Sequence, residues 1–250
     1  MNRIETFKKA LNEKRAVKII AGINNFDSEK VKKVVCAADQ AGADAVDIAA
    51  DVNLINMSKE LTNLPIFVSS IKPEELAMAT QNGADAIEIG NYDALYADGL
   101  RLSADDILEI TRRTRELAGN DIFLSVTIPG HLEVEEQIRL ACALKAFNVD
   151  LLQSEGAAIA NVTNNGARGL LEKANVSIAN TIELKRNVEI PVMTASGITS
   201  TTVSLVFASG ADAVGIGSCV NKLNSTVEMI AAIKNILGNI NLQSRTRELV

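Results

Sequence analysis

One short segment recurs along this chain and limits what it can fold into. Ala41-Gly42-Ala43-Asp44-Ala45-Val46-Asp47-Ile48 returns as Asn82-Gly83-Ala84-Asp85-Ala86-Ile87-Glu88-Ile89 and again as Ser209-Gly210-Ala211-Asp212-Ala213-Val214-Gly215-Ile216. A weaker copy is Phe147-Asn148-Val149-Asp150-Leu151-Leu152-Gln153-Ser154. In each, a Gly or Asn can take the left-handed backbone that ends a helix, and a short turn then leads into a buried strand. These are helix-to-strand junctions of one repeated unit, without the full-length self-similarity of a solenoid.

Other β-type runs lie between the copies, at Val17 to Gly22, Ile66 to Ser69, Ile122 to Thr127 and Val192 to Ala195. Pro65 and Pro191 open two of them, where a missing N–H is tolerated. Helical spacing fills the gaps. Lys30 to Gln40 carries Val31, Val34, Val35 and Ala38, and Ala104 to Leu117 starts from Ser103 as N-cap. Ile4, Phe7 and Leu11, among mixed charges, mark an amphipathic leading helix and not a targeting segment. The expected fold is a single (β/α)8 TIM barrel over residues 1–250 with a leading N-terminal helix. An open doubly wound sheet is the alternative. The barrel is preferred because the repeat copies fall on strands two, four, six and eight, as alternating layers of a closed ring require.

Composition fits this reading. Apolar residues make up 47% of 250 and Trp is absent, so the core is built from Ile, Leu, Val and Ala, as suits parallel strands under covering helices. A net charge of −6 argues against nucleic acid and anionic membrane as partners. No apolar run approaches the about 20 residues that span a bilayer. Cys36, Cys142 and Cys219 lack metal-ligand spacing and read as small buried hydrophobes in a reducing compartment. No metal and no cofactor are expected, and a homo-oligomer is left open.

Strand alternation then assigns direction. Val46 and Ile48, Ile87 and Ile89, and Val214 and Ile216 face the helices, so Asp47, Glu88, Gln153 and Gly215 form one layer on the barrel axis. Ala49, Gly90, Glu155 and Gly217 form the next. Lys18 interrupts an apolar first strand, and an unpaired ammonium there would cost several kcal/mol, which places Asp47 or Glu88 within ion-pair reach. Two readings stand: a structural pair plugging the barrel, or an acid–base group. Glu155, ending the sixth strand, is a further acid candidate or a solvated loop carboxylate. His131, the one histidine, follows strand five on the face where barrel chemistry occurs, and its alternative is a surface loop residue. Ser196-Gly197-Ile198 after strand seven and Gly217-Ser218 after strand eight let backbone N–H groups approach a phosphate, or else form tight turns without a ligand.

The residues then become recognisable. Gly22-Ile23-Asn24-Asn25-Phe26, Asp47-Ile48-Ala49-Ala50-Asp51, Glu88-Ile89-Gly90-Asn91, Gln153-Ser154-Glu155-Gly156, Ala195-Ser196-Gly197-Ile198 and Gly215-Ile216-Gly217-Ser218 carry the likeness, which runs nearly end to end. The chain resembles the hypothetical chloroplast reading frame twenty-three family. That resemblance implies a soluble protein of a cyanobacterial cytoplasm or chloroplast stroma and carries no reaction over to particular residues. More distantly, the last quarter is similar to the ribulose-phosphate-binding barrels, with Gly197 and Gly217-Ser218 matching their phosphate loops. Ser196-Gly197 stands where a double glycine is common, and strand three lacks the Asp-x-Lys signature of the decarboxylase branch.

The leading expectation is an enzyme acting on a small phosphorylated metabolite by proton transfer, an isomerase or lyase. Lys18, Asp47 and Glu88 would supply charge and protons, Gln153 would orient the substrate, and Glu155 and His131 are further candidates. Ser196, Gly197, Ile198, Gly217 and Ser218 would hold the phosphate. The alternative is a non-catalytic barrel that binds a phosphorylated effector, its axial space filled by Ile20 and Leu152.

Overall fold

A computed structural model describes residues 3–156 and 164–247. Eight parallel strands close into a barrel in sequence order: β1 (Ala16–Ile20), β2 (Ala45–Ala49), β3 (Ile66–Ser70), β4 (Ala86–Ile89), β5 (Phe123–Ile128), β6 (Leu151–Ser154), β7 (Val192–Thr194) and β8 (Ala213–Ile216). The closing β1–β8 pair aligns Lys18 with Gly215. Helix α1 (Ile4–Asn12) precedes the ring. Around it run α2 (Ser28–Ala41), α3 (Val52–Leu61), α4 (Pro73–Gln81), α5 (Ala104–Ala118), α6 (Val134–Leu144), α7 (Gly166–Asn187), α8 (Val203–Ala208), the single turn α9 (Ser218–Asn221) and α10 (Thr226–Arg247). The repeats do sit on the even strands.

The repeat has a physical reason that its pattern alone did not disclose. Gly42, Gly83, Asn148 and Gly210 all adopt positive φ, turning the chain out of a helix. The Asp two residues beyond each then grips the strand before it. Asp44, Asp85, Asp150 and Asp212 accept side-chain hydrogen bonds from the N–H groups of Val17, Ile66, Leu124 and Val192, at 2.8–3.0 Å. Their own N–H groups donate to the carbonyls of those same four residues. Each repeat is therefore a clamp that sets one strand beside the next at the barrel floor.

Two cores result. The outer one lies between sheet and helices and takes Val46, Ile48, Ile87, Ile89, Val214 and Ile216, as alternation requires. Leu152 also belongs there, so it does not fill the axis; Leu151 is the inward residue. The inner core is smaller. Ala45, Phe67, Ala86, Phe123, Met193 and Ala213 meet Ile4, Phe7, Ala10 and Leu11 of α1, which stops the floor of the barrel. The Phe7 ring stands edge-on to Phe67 and Phe123, at 5.0 and 6.0 Å between centroids. The expectation of buried cysteines fails: Cys36 and Cys219 are only part-buried, and Cys142 is exposed, because its position on α6 falls outside that helix's buried stripe of Gln137, Leu140, Ala141 and Leu144.

Candidate active site

Directly above this aromatic floor the axis turns polar. Lys18, Asp47 and Glu88 are completely buried and Gln153 nearly so. Lys18 Nζ lies 2.5 Å from Glu88 Oε2 and 5.0 Å from the centre of the Phe67 ring. Of the two acids expected near Lys18, Glu88 makes the pair. Gly215 leaves little free space beside it, since Ile20 Cδ1 lies 3.1 Å from where a Cβ would stand.

Asp47 heads a separate chain of hydrogen bonds. Ser69 Oγ donates to Asp47 Oδ1, and Asn91 Nδ2 donates to Asp47 Oδ2 at 2.9 Å. Gln153 Nε2 donates to Asn91 Oδ1 at 2.9 Å and to Thr127 Oγ1 at 3.0 Å. Burial pushes the Asp47 carboxyl up to about 7, against the pull of Lys18. Asn91, which sequence reasoning passed over, holds this network together. It reaches inward because Gly90 and Asn91 both have positive φ, and a Cβ on Gly90 would meet Thr127 Oγ1 at 1.9 Å.

A second cluster sits at the mouth. Glu155 is 3% exposed, so it is not a solvated loop carboxylate. Glu155 Oε1 accepts from Asp93 N at 2.7 Å and Oε2 accepts from Tyr96 Oη at 2.7 Å. His131 Nδ1 lies 3.3 Å from the same Tyr96 oxygen, and His131 is partly exposed. Burial, reinforced by the Asp93 carboxylate, pushes the Glu155 carboxyl up to about 8. Asp93 also accepts from Ser196 Oγ. The loop between β4 and α5 thus crosses the mouth and joins the ends of β4, β6 and β7.

The phosphate-loop candidates come together as well. Ser196 and Gly197 have φ of 72° and 74°, and a Cβ on Gly197 would fall 2.4 Å from the Lys173 carbonyl oxygen. Gly217 precedes α9, and Cys219 Sγ donates to the Ile198 carbonyl at 3.4 Å, tying the loop after β7 to the turn after β8. Helix α7 braces both strand ends from outside. Ser177 Oγ donates to the Ser196 carbonyl, and Asn180 Nδ2 donates to the Glu155 carbonyl. Ser177, Asn180 and Thr181 form a buried polar stripe at helical spacing, a signal the sequence carried unread.

Lys18, Asp47, Glu88 and Gln153 therefore share the axis, while Glu155 and His131 stand apart in the mouth. Among the described residues no three His, Cys, Asp or Glu side chains are grouped to hold a metal ion. No described helix is long and apolar enough to cross a membrane.

A closed parallel barrel of eight strands with helices around it and a polar axis defines a TIM-barrel protein. Within that class the chain belongs to the family described as protein of unknown function DUF561, whose model matches residues 1–246. The uncharacterized protein ycf23 of Cyanophora paradoxa is 42% identical over 246 residues, spanning 96% of this chain and 97% of that one. Among solved structures, 3-hexulose-6-phosphate synthase superposes with a TM-score of 0.63 at 13% identity, over 90% of this chain and 99% of that one. (S)-3-O-geranylgeranylglyceryl phosphate synthase from Thermoplasma acidophilum, in complex with sn-glycerol-1-phosphate, gives 0.60 at 17%, over 94% and 97%. At such identities the likeness is one of fold.

Proposed function

We propose that this protein binds a small phosphorylated metabolite at the barrel mouth and moves a proton on it, as an isomerase or lyase does. The observation that carries the reading is the tie between the Ser196-Gly197-Ile198 loop and the turn after β8, with Asp93 joining Ser196 to the buried carboxyl of Glu155. Backbone N–H groups of Gly197, Ile198, Gly217 and Ser218 hold the phosphate, with the Ser196 and Ser218 hydroxyls beside them. Glu155 takes and returns the proton. Below it, Asn91 and Gln153 orient the polar end of the substrate, and Asp47 is the deeper acid. Lys18 and Glu88 neutralise one another beside these groups and set their field. The solved barrels named for hexulose phosphate and bound to glycerol phosphate support the ligand class. The ycf23 relative supports a place in a chloroplast stroma or a cyanobacterial cytoplasm.

A second reading, a barrel that binds the metabolite without turning it over, is favoured by Ile20 occupying the room beside Gly215. One experiment separates the two. The protein is incubated in D2O with sugar and polyol phosphates and the carbon-bound protons are followed by NMR. The enzyme reading expects deuterium to wash into one compound with the wild type and not with Glu155→Gln, while thermal shift shows both proteins binding it. Binding without exchange in the wild type supports the second reading, and absence of any thermal shift contradicts both.

A further inference from the structure

The cluster at the mouth extends beyond the groups that would touch a substrate. Glu155 lies at the end of β6, Tyr96 in the loop after β4 and His131 in the loop after β5, so three separate connections converge on one phenol oxygen. Tyr96 Oη stands 2.7 Å from Glu155 Oε2 and 3.3 Å from His131 Nδ1. Glu155 is buried and Tyr96 nearly so, whereas His131 reaches solvent. Arg101 fixes the phenol in place: its guanidinium lies 4.3 Å from the ring centre, and it donates to the Tyr96 carbonyl. The His131 ring meets the same phenol edge-on, at 5.5 Å.

We infer that Tyr96 and His131 are the route by which Glu155 exchanges its proton with solvent. The inference rests on Glu155 being the proton-transfer group proposed above, and it adds the two residues that reset it. In the outward step, neutral Glu155 passes its proton from Oε2 to Tyr96 Oη. The phenol proton passes to His131 Nδ1, and the imidazolium releases its Nε2 proton to water. One proton leaves, the O–H bond of Tyr96 is broken and remade, and Glu155 is left as the carboxylate. No oxidant or second substrate is required. Tyr96 is never a stable phenolate here, because burial and the neighbouring Glu155 and Asp93 carboxylates hold its proton on.

Among the described residues, the groups that act on these two ends can be named. Asp93 and Tyr96 face Glu155, with the Gly130 backbone N–H also hydrogen-bonded to it. His131 feels burial and the Arg101 charge, which keep it neutral, against Glu136 and a backbone hydrogen bond to Leu102, which favour its cation. Near neutral pH the imidazole is therefore uncharged, and what changes is which nitrogen carries its proton. With Glu155 neutral, its O–H points at Tyr96, Tyr96 points at His131, and Nδ1 must accept. With Glu155 ionised, Tyr96 points at the carboxylate and Nδ1–H donates to the phenol oxygen.

His131 is the only histidine, so its ring nitrogens give one unambiguous signal. Long-range proton–nitrogen NMR on the ligand-free protein, across pH about 6.5 to 9.5, reads the tautomer directly. The expected result is a reversal of the protonated nitrogen centred where Glu155 titrates, its loss in Glu155→Gln, and its loss in Tyr96→Phe. Charge alone acts through space and would survive the removal of one hydroxyl. A wild-type tautomer that does not change with pH overturns the relay, as does a reversal that persists in a folded Tyr96→Phe. If Tyr96→Phe does not fold, the wild type and Glu155→Gln still decide. No phosphorylated compound is present, so a negative result here leaves the binding experiment untouched and the two failures are distinct.

Discussion

Lys18 and Glu88 face one another, both fully buried, at 2.5 Å inside the closed ring of strands. Removing one partner strands a buried charge. Lys18→Met is therefore expected to lower unfolding stability by roughly 3–5 kcal/mol, and Lys18→Met with Glu88→Met to recover most of that loss. Urea unfolding of the three proteins checks it. A small loss in the single variant would mean that Glu88 finds water or another partner. Asp47 gives a second expectation. Its folded value, about 7, lies above the ordinary 3.8, so between those limits the folded protein holds a proton that the unfolded chain has released. The stability this contributes is whole below about pH 4 and is lost as pH rises through about 7. Glu155, raised to about 8 from 4.5, acts in the same direction. Urea midpoints should fall between about pH 5 and pH 8.5, and Asp47→Asn should flatten that slope.

At the scale of elements, the four aspartate clamps and the stopper helix hold the barrel floor. Asp85→Ala leaves the Ile66 N–H without its side-chain acceptor and is expected to cost about 1–3 kcal/mol. Phe7→Ala opens the aromatic cluster against Phe67 and Phe123 and is expected to cost about 3–5 kcal/mol. Thermal and urea unfolding measure both. The strands were legible because alternation is local: Val46-Asp47-Ile48 shows its inward residue without reference to anything else. The leading helix was legible as amphipathic but not as a stopper, since its partners Phe67 and Phe123 lie far along the chain. The loop after β4 was illegible for a related reason. Asn91, Asp93 and Tyr96 acquire roles only where β2, β6 and β7 end beside them, and no spacing within Asn91-Tyr92-Asp93-Ala94-Leu95-Tyr96 announces that.

For the whole molecule, chemistry is segregated by height. An aromatic floor, a middle layer holding both the sealed Lys18–Glu88 pair and the Asp47–Asn91–Gln153 network, and a mouth of Glu155 with two small-residue turns follow one another up a single axis. The layer of Asp47, Glu88 and Gln153 could be derived from the repeat, whereas the division of labour between layers could not, because it depends on Ile20 filling the room beside Gly215. The central claim is that the turns after β7 and β8 and the Glu155 cluster form one ligand site. Amide NMR during titration with a sugar phosphate that raises the melting temperature tests it most directly. The amides of Gly197, Ile198, Gly217 and Ser218 and the His131 ring are expected to shift together along one saturation curve. Shifts confined to the groove between α5 and α6, around Leu108 and Arg139, with those amides unmoved, would contradict it.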